Sequence, residues 1–119
     1  GGWYYPQGLY CSKELGGISS TTFAKAINAE GIKRCFPGGN NPLHTHNYFN
    51  YSDLFNLGKP TAIAFGQRDV RQGIGTLPVS ESIKDITVAV PWFKHFESNT
   101  IQNYANAFKK VIENAEELA

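Results

Sequence analysis

The C-terminal segment constrains the fold of this chain more than any other stretch. From about Asn99 to Leu118, apolar residues recur at Ile101, Tyr104, Ala105, Phe108, Val111, Ile112, Ala115 and Leu118. Steps of three and four place them along one stripe of an amphipathic helix. Ser98 stands where an N-cap belongs. A helix of this length is marginal alone in water. Burying its five large aliphatic or Phe side chains contributes roughly 7–15 kcal/mol at most, before entropy. The stripe therefore demands a partner, and a sheet is the expected one.

The elements that could form that sheet are short. Residues 3–11, WYYPQGLYC, favour extended backbone but are interrupted by Pro6 and Gly8, so two pieces are expected, the second Leu9–Cys11. Ser19 caps a second helix whose inner side is Phe23, Ala26, Ile27 and Glu30, and Gly31 ends it. Ile32–Phe36 then alternates as a strand with Ile32, Arg34 and Phe36 on one face. Thr61–Phe65 and Ile86–Phe93 are further strand candidates, and Pro91 stops the latter. Pro78 suits the first position of a short helix on which Val79 and Ile83 share a face. The fold class expected is α+β, a small antiparallel or mixed sheet with at least two helices packed on one face. All of residues 1–119 are read as a single domain, with a long loop excursion over 37–76.

The totals limit the function classes. A chain of 119 residues, with 41% hydrophobic and 18% charged residues, is globular and able to bury one core. A net charge of +1, with acids and bases mixed, gives no electrostatic case for nucleic acid or an anionic membrane. No apolar run approaches the roughly 18 residues of a membrane span, and no signal-peptide pattern opens the chain, so the expected compartment is the cytoplasm. Cys11 and Cys35 permit one disulfide, but two isolated cysteines in such a chain are expected as buried thiols. The chain holds no methionine, as expected of a piece of something larger.

Candidate chemistry centres on PGGNNPLHTHNYFN, Pro37 to Asn50, which carries two of the three histidines. His44 and His46 on one side of an extended segment would suit a metal, yet the third histidine, His95, sits beside Trp92 and Phe93, and no C-x-x-C pair completes a ligand set. No G-x-S-x-G elbow supports a nucleophilic triad. GGN and GIGT lack the strand–loop–helix context and lysine of a phosphate loop, so they read as turn glycines. Asp69, Arg71 and Gln72 suit either a polar recognition loop or a solvated surface, and Trp3 and the tyrosines suit sugar or base stacking or a core. Tyr48, Phe49, Tyr51 and Phe55 argue that the long excursion is ordered, because they need somewhere to pack.

The order of short motifs resembles one family. Gly17-Ile18-Ser19 precedes a helix and Ala29-Glu30-Gly31-Ile32 ends it; Pro42-Leu43-His44 follows; then come Leu77-Pro78-Val79 with Glu81, and Pro91-Trp92 closing a strand before the last helix. In this order the chain resembles the C-terminal small domain of the DegT/DnrJ/StrS family, pyridoxal-phosphate-dependent sugar aminotransferases of aspartate-aminotransferase fold (fold type I). The resemblance covers nearly the whole chain, and departs from the family pattern in the Asn50–Thr76 excursion.

That resemblance implies a cytoplasmic parent enzyme that moves an amino group from a glutamate-type donor to a keto sugar, often nucleotide-linked. It implies pyridoxal phosphate in the parent, a large coenzyme-binding domain of the same chain as partner, and a homodimer with active sites at the subunit boundary. No lysine here matches the family's Schiff-base motif, so neither catalytic residues nor coenzyme are expected in this piece alone. The stretch at Pro42-Leu43-His44 is expected at the rim of the cleft, with His44, Asn40 and Asn41 hydrogen-bonding a sugar or phosphate oxygen. The plainer reading is a His44 that pins its loop. A different class stays open: an independent carbohydrate-binding or interaction module using the same aromatic loop.

Overall fold

A computed structural model describes residues 5–119. The chain is α+β, and its backbone divides into two compact units. The first runs to Gly39 and resumes over Ile83–Ala119; the second is Asn40–Ser82.

In the first unit three short strands, β1 (Gln7–Leu9), β2 (Phe36–Pro37) and β3 (Thr87–Ala89), form an antiparallel sheet in the order β1-β3-β2. Gln7 faces Ala89 and Leu9 faces Thr87, while Phe36 faces Ala89 from the other side. Backbone bonds extend both ladders past the strand ends. Tyr10 N donates to Ile86 O at 2.9 Å, Val90 N to Pro6 O at 3.2 Å, and Gly38 N to Thr87 O at 2.8 Å. All three residues of β3 are buried, as befits a central strand.

Helix α1 (Ser20–Ala29) begins where expected: the Ser19 hydroxyl accepts from Thr22 N at 3.0 Å. Gly31 has φ +90° just beyond its end. The inner face is Ser20, Phe23, Ala24 and Ile27; Glu30, expected inside, is exposed and pairs with Lys110 at 2.8 Å. α1 packs on β2 and β3 and also on α5 (Ser98–Glu113), so the C-terminal helix finds its main partner in α1 rather than in the sheet. Ser98 is the first helical residue and Glu97 holds the cap position. Ala107, Val111 and Ala115 are the buried stripe, Ile112 faces out, and a separate 3-10 turn covers Ala115–Leu118. Tyr10, Phe23 and Phe108 stack through the core with centroids 5.3 and 6.1 Å apart.

Four strand expectations are corrected. Ile32–Phe36 is not an alternating strand, because Arg34 takes φ +70° and turns the chain, burying Ile32 and Cys35 together. The Asn28 side chain satisfies the backbone there, donating to Cys35 O at 2.6 Å and accepting from Cys35 N at 3.3 Å. Thr61–Phe65 is helical over α3 (Thr61–Ala64). The N-terminal strand is Gln7–Leu9 and shares only Leu9 with the expected Leu9–Cys11 piece; the earlier piece begins, and Trp3 lies, outside the described residues. The Ile86–Phe93 strand shortens to Thr87–Ala89. Both cysteines are free; Cys35 is buried, which pushes its thiol up to about 11, but Cys11 is exposed.

A side chain at Gly38 would run into Thr87: an added Cβ would lie 2.7 Å from Thr87 Cβ and 3.0 Å from its carbonyl carbon. Gly38→Ala is therefore expected to destabilise the first unit by about 2 kcal/mol, through overpacking against a central strand. Urea denaturation followed by Trp and Tyr fluorescence checks this. Asn28→Ala, which strands the Cys35 amide and carbonyl, is expected to cost about 1–3 kcal/mol in the same assay.

Candidate functional site

The second unit, Asn40–Ser82, contains a 3-10 turn (Leu43–Thr45), α2 (Asn47–Tyr51), α3 and the start of α4 (Pro78–Ile86). Pro78 opens α4 as its sequence position suggests. No residue of this unit is fully buried. Polar side chains bonded to backbone hold it instead.

The Pro42-Leu43-His44 stretch shows how. Thr45 N and Thr45 Oγ1 both donate to Pro42 O, at 2.9 and 2.8 Å, closing the turn that proline's fixed φ begins. His46 follows as the cap of α2, its carbonyl accepting from Phe49 N and Asn50 N. The Asn50 amide reaches back to His44 O at 2.6 Å and His46 O at 2.9 Å. Arg71 in turn donates to Asn50 O at 3.0 Å, lies 5.9 Å from the Tyr51 ring centroid, and is bound in a fork to Asp69. That fork holds the Asp69 carboxyl down at about 2. Arg71 is thus engaged within its own loop. Asp53 accepts from Leu57 N at 2.9 Å and Gly58 N at 2.7 Å, bonds that hold its carboxyl below the usual range.

The two histidines part company in this turn. His44 is nearly covered, with its side chain 10% exposed, and its Nε2 lies 2.9 Å from Glu81 Oε1. The same carboxylate accepts from Gly75 N at 2.9 and 2.8 Å and from Leu77 N at 3.2 Å. The His44 bond first, and the Gly75 and Leu77 amides after it, hold the Glu81 carboxyl below the ordinary glutamate range. An ionised carboxylate only accepts, so His44 donates from Nε2. His46 is exposed, and no group of three or more His, Cys, Asp or Glu among the described residues is arranged to hold a metal ion.

Asn41, Thr45, His46, Asn47 and Tyr48 line an open concavity of about 360 Å³. Of the residues singled out from sequence, Asn41 lines it, Asn40 is exposed outside its lining, and His44 turns to Glu81. Glu81 and Asn50 escaped the sequence reading as site partners. The first lies 37 residues from His44, and no local pattern links them. Gly75, read as a turn glycine, has φ +91° and supplies an amide to the Glu81 node.

No family model, curated protein or solved structure matches this chain. No helix among the described residues is long and apolar enough to cross a membrane.

The Glu81 node has a pH signature. Because its folded pKa is depressed, the stability it lends is present above the ordinary glutamate value and is lost as pH falls through the folded value. The Gly75 and Leu77 amide resonances should therefore titrate with an inflection below the usual glutamate range. The inflection should vanish in Glu81→Gln, as a two-dimensional NMR pH series will show.

Proposed function

We propose that this chain is the small C-terminal domain of a pyridoxal-phosphate-dependent aminotransferase of the DegT/DnrJ/StrS type, with the small-domain architecture of a fold-type I enzyme. The parent enzyme transfers an amino group from a glutamate-type donor to a keto sugar, free or nucleotide-linked, in the cytoplasm. This domain covers the cleft and helps hold the sugar; the large domain of the same chain carries the coenzyme, and the parent works as a homodimer.

One observation carries this reading. Twelve large apolar side chains of the second unit are exposed, from Leu43 and Tyr48 through Phe55 and Phe65 to Ile74 and Val79. Soluble monomers seldom leave so much apolar surface to water without a partner for it. A domain built to lie against a larger one accounts for it. An independent carbohydrate-binding module would leave those side chains facing solvent. The ordering of the unit by internal polar bonds agrees, since such a unit keeps its shape while its apolar groups point outward.

The residues described do not fit the coenzyme by themselves. All eight lysines are exposed; Lys110 is held by Glu30 and Lys94 lies beside Trp92 and Phe93 in an open hollow, and none stands in the Schiff-base motif that the resemblance would require. In this reading the chain's own contribution is confined to shaping and closing the substrate side, with Glu81 fixing His44 and, through Gly75 and Leu77, the turn that leads into α4.

The gene's upstream reading frame tests the proposal. It should encode roughly 250–300 residues, beyond one ordinary domain, including a Schiff-base lysine. The isolated chain mixed with pyridoxal phosphate should keep the spectrum of the free aldehyde. Amino transfer by the isolated chain, or a frame with no such domain, would refute it.

A further inference from the structure

The outermost strand of the first unit is open on one side. β1 stands at the end of the order β1-β3-β2. Tyr10 N donates to Ile86 O and Val90 N to Pro6 O, with Gly8 opposite Val88 between them. In such an antiparallel ladder Pro6, Gly8 and Tyr10 face β3, so the N–H and C=O groups of Gln7 and Leu9 point away from the sheet. Among the described residues no backbone bond takes them up. Native sheets blunt such an edge with a charge, a proline or a covering element. This one carries Leu9, whose side chain is 93% exposed. Beside Gln7 lies an open hollow of about 580 Å³, lined by Pro6, Gln7, Trp92, Phe93 and Lys94. Trp92 is exposed there, and Lys94 has no ion-pair partner among the described residues. No carboxylate lines the hollow, and residues 5–13, which contain the strand, hold no aspartate or glutamate.

We propose that the β1 edge takes an extended, acidic segment of another protein as a fourth strand of the sheet. The four outward groups of Gln7 and Leu9 supply the main-chain bonds, which hold a strand whatever its sequence. Side chains then select it. An apolar residue opposite Leu9 covers that leucine, and a second, opposite Gln7, meets Trp92 and Phe93 at the hollow. A carboxylate within reach of Lys94 supplies the charge that the edge lacks. A second copy of this chain is the poorer occupant. Paired through β1, it would bring Lys13 and Lys94 to the contact with no acid from its own edge to meet them.

The test is an NMR titration of the chain with a blocked hexapeptide of alternating valine and glutamate, and in parallel with its valine–lysine counterpart. The acidic peptide should move the Gln7 and Leu9 amides and the Trp92 indole. It should also slow hydrogen exchange at Gln7 and Leu9, whose amides otherwise face water, and leave exchange at Tyr10 as it was. The basic peptide should bind at least about tenfold more weakly, the worth of one good charged contact. Trp92→Ala should weaken the acidic peptide by a similar factor. Lys94→Glu, an exposed change, should reverse the order of the two peptides while the Val88 and Ala89 amides stay in place. Equal binding of both peptides, or an order that Lys94→Glu leaves unchanged, overturns the acidic partner. Shifts centred elsewhere, or none up to the solubility of the peptide, overturn the strand-addition surface. Sedimentation showing a dimer that Leu9→Lys dissociates gives the edge to a second copy and overturns the proposal. The aminotransferase reading stands or falls separately, on the upstream frame.

Discussion

The close approach of Gly38 to Thr87 is the constraint on which the first unit turns. β3 is three residues long and buried, so it has no length to spare for imperfect pairing. β2 is shorter still, and the bond from Gly38 N to Thr87 O continues its ladder where the strand proper has ended. A Cβ at position 38 would occupy the space of the Thr87 side chain. Thr87 is itself anchored, its hydroxyl donating to Ile83 O at 2.7 Å. With β3 placed, α1 has a surface to cover, and Ser20 ties its start to Lys84 O at 3.0 Å. α5 then lies on α1. Each layer is positioned by the one before it.

The two units are ordered by different physics. The first has an apolar core of Tyr10, Ile18, Phe23, Ile27, Val88 and Val111 with their neighbours. Each fully buried side chain of that size contributes about 1.5–3 kcal/mol. The second has no such core. Its shape comes from Asn50, Asp53, Arg71 and Glu81 reaching backbone groups, at about 1 kcal/mol net for an ordinary hydrogen bond and somewhat more for a charged one. Polar ordering fixes conformation without hiding apolar surface. It leaves Tyr48, Phe49, Phe55 and Phe65 available to whatever the unit meets.

That division gives the His-x-His stretch its meaning. Alternation along an extended segment would have put both rings on one side. The 3-10 turn instead sends His44 to a carboxylate and leaves His46 at the lip of the polar concavity. One imidazole sets the loop, and the other stays exposed. A carboxylate that binds a histidine and two backbone amides couples three segments of one unit, 44, 75–77 and 81, at a single charged point.

The sequence by itself determined what depends on neighbours along the chain. Helix α1 with its Ser19 cap and Gly31 stop, the Pro78 start of α4, the amphipathic α5 and the turn glycines were all legible, because capping, ring geometry and helical period act within a few residues. Tertiary structure decided the rest. Thr61–Ala64 reads as β-prone yet coils, Arg34 breaks an alternating pattern by taking positive φ, and α5 turns Ile112 outward while burying Ala107. The partnership of His44 with Glu81 and the division into two units could not be read from spacing. They arise from contacts tens of residues apart, where local preference is silent and the satisfaction of polar groups chooses the partner.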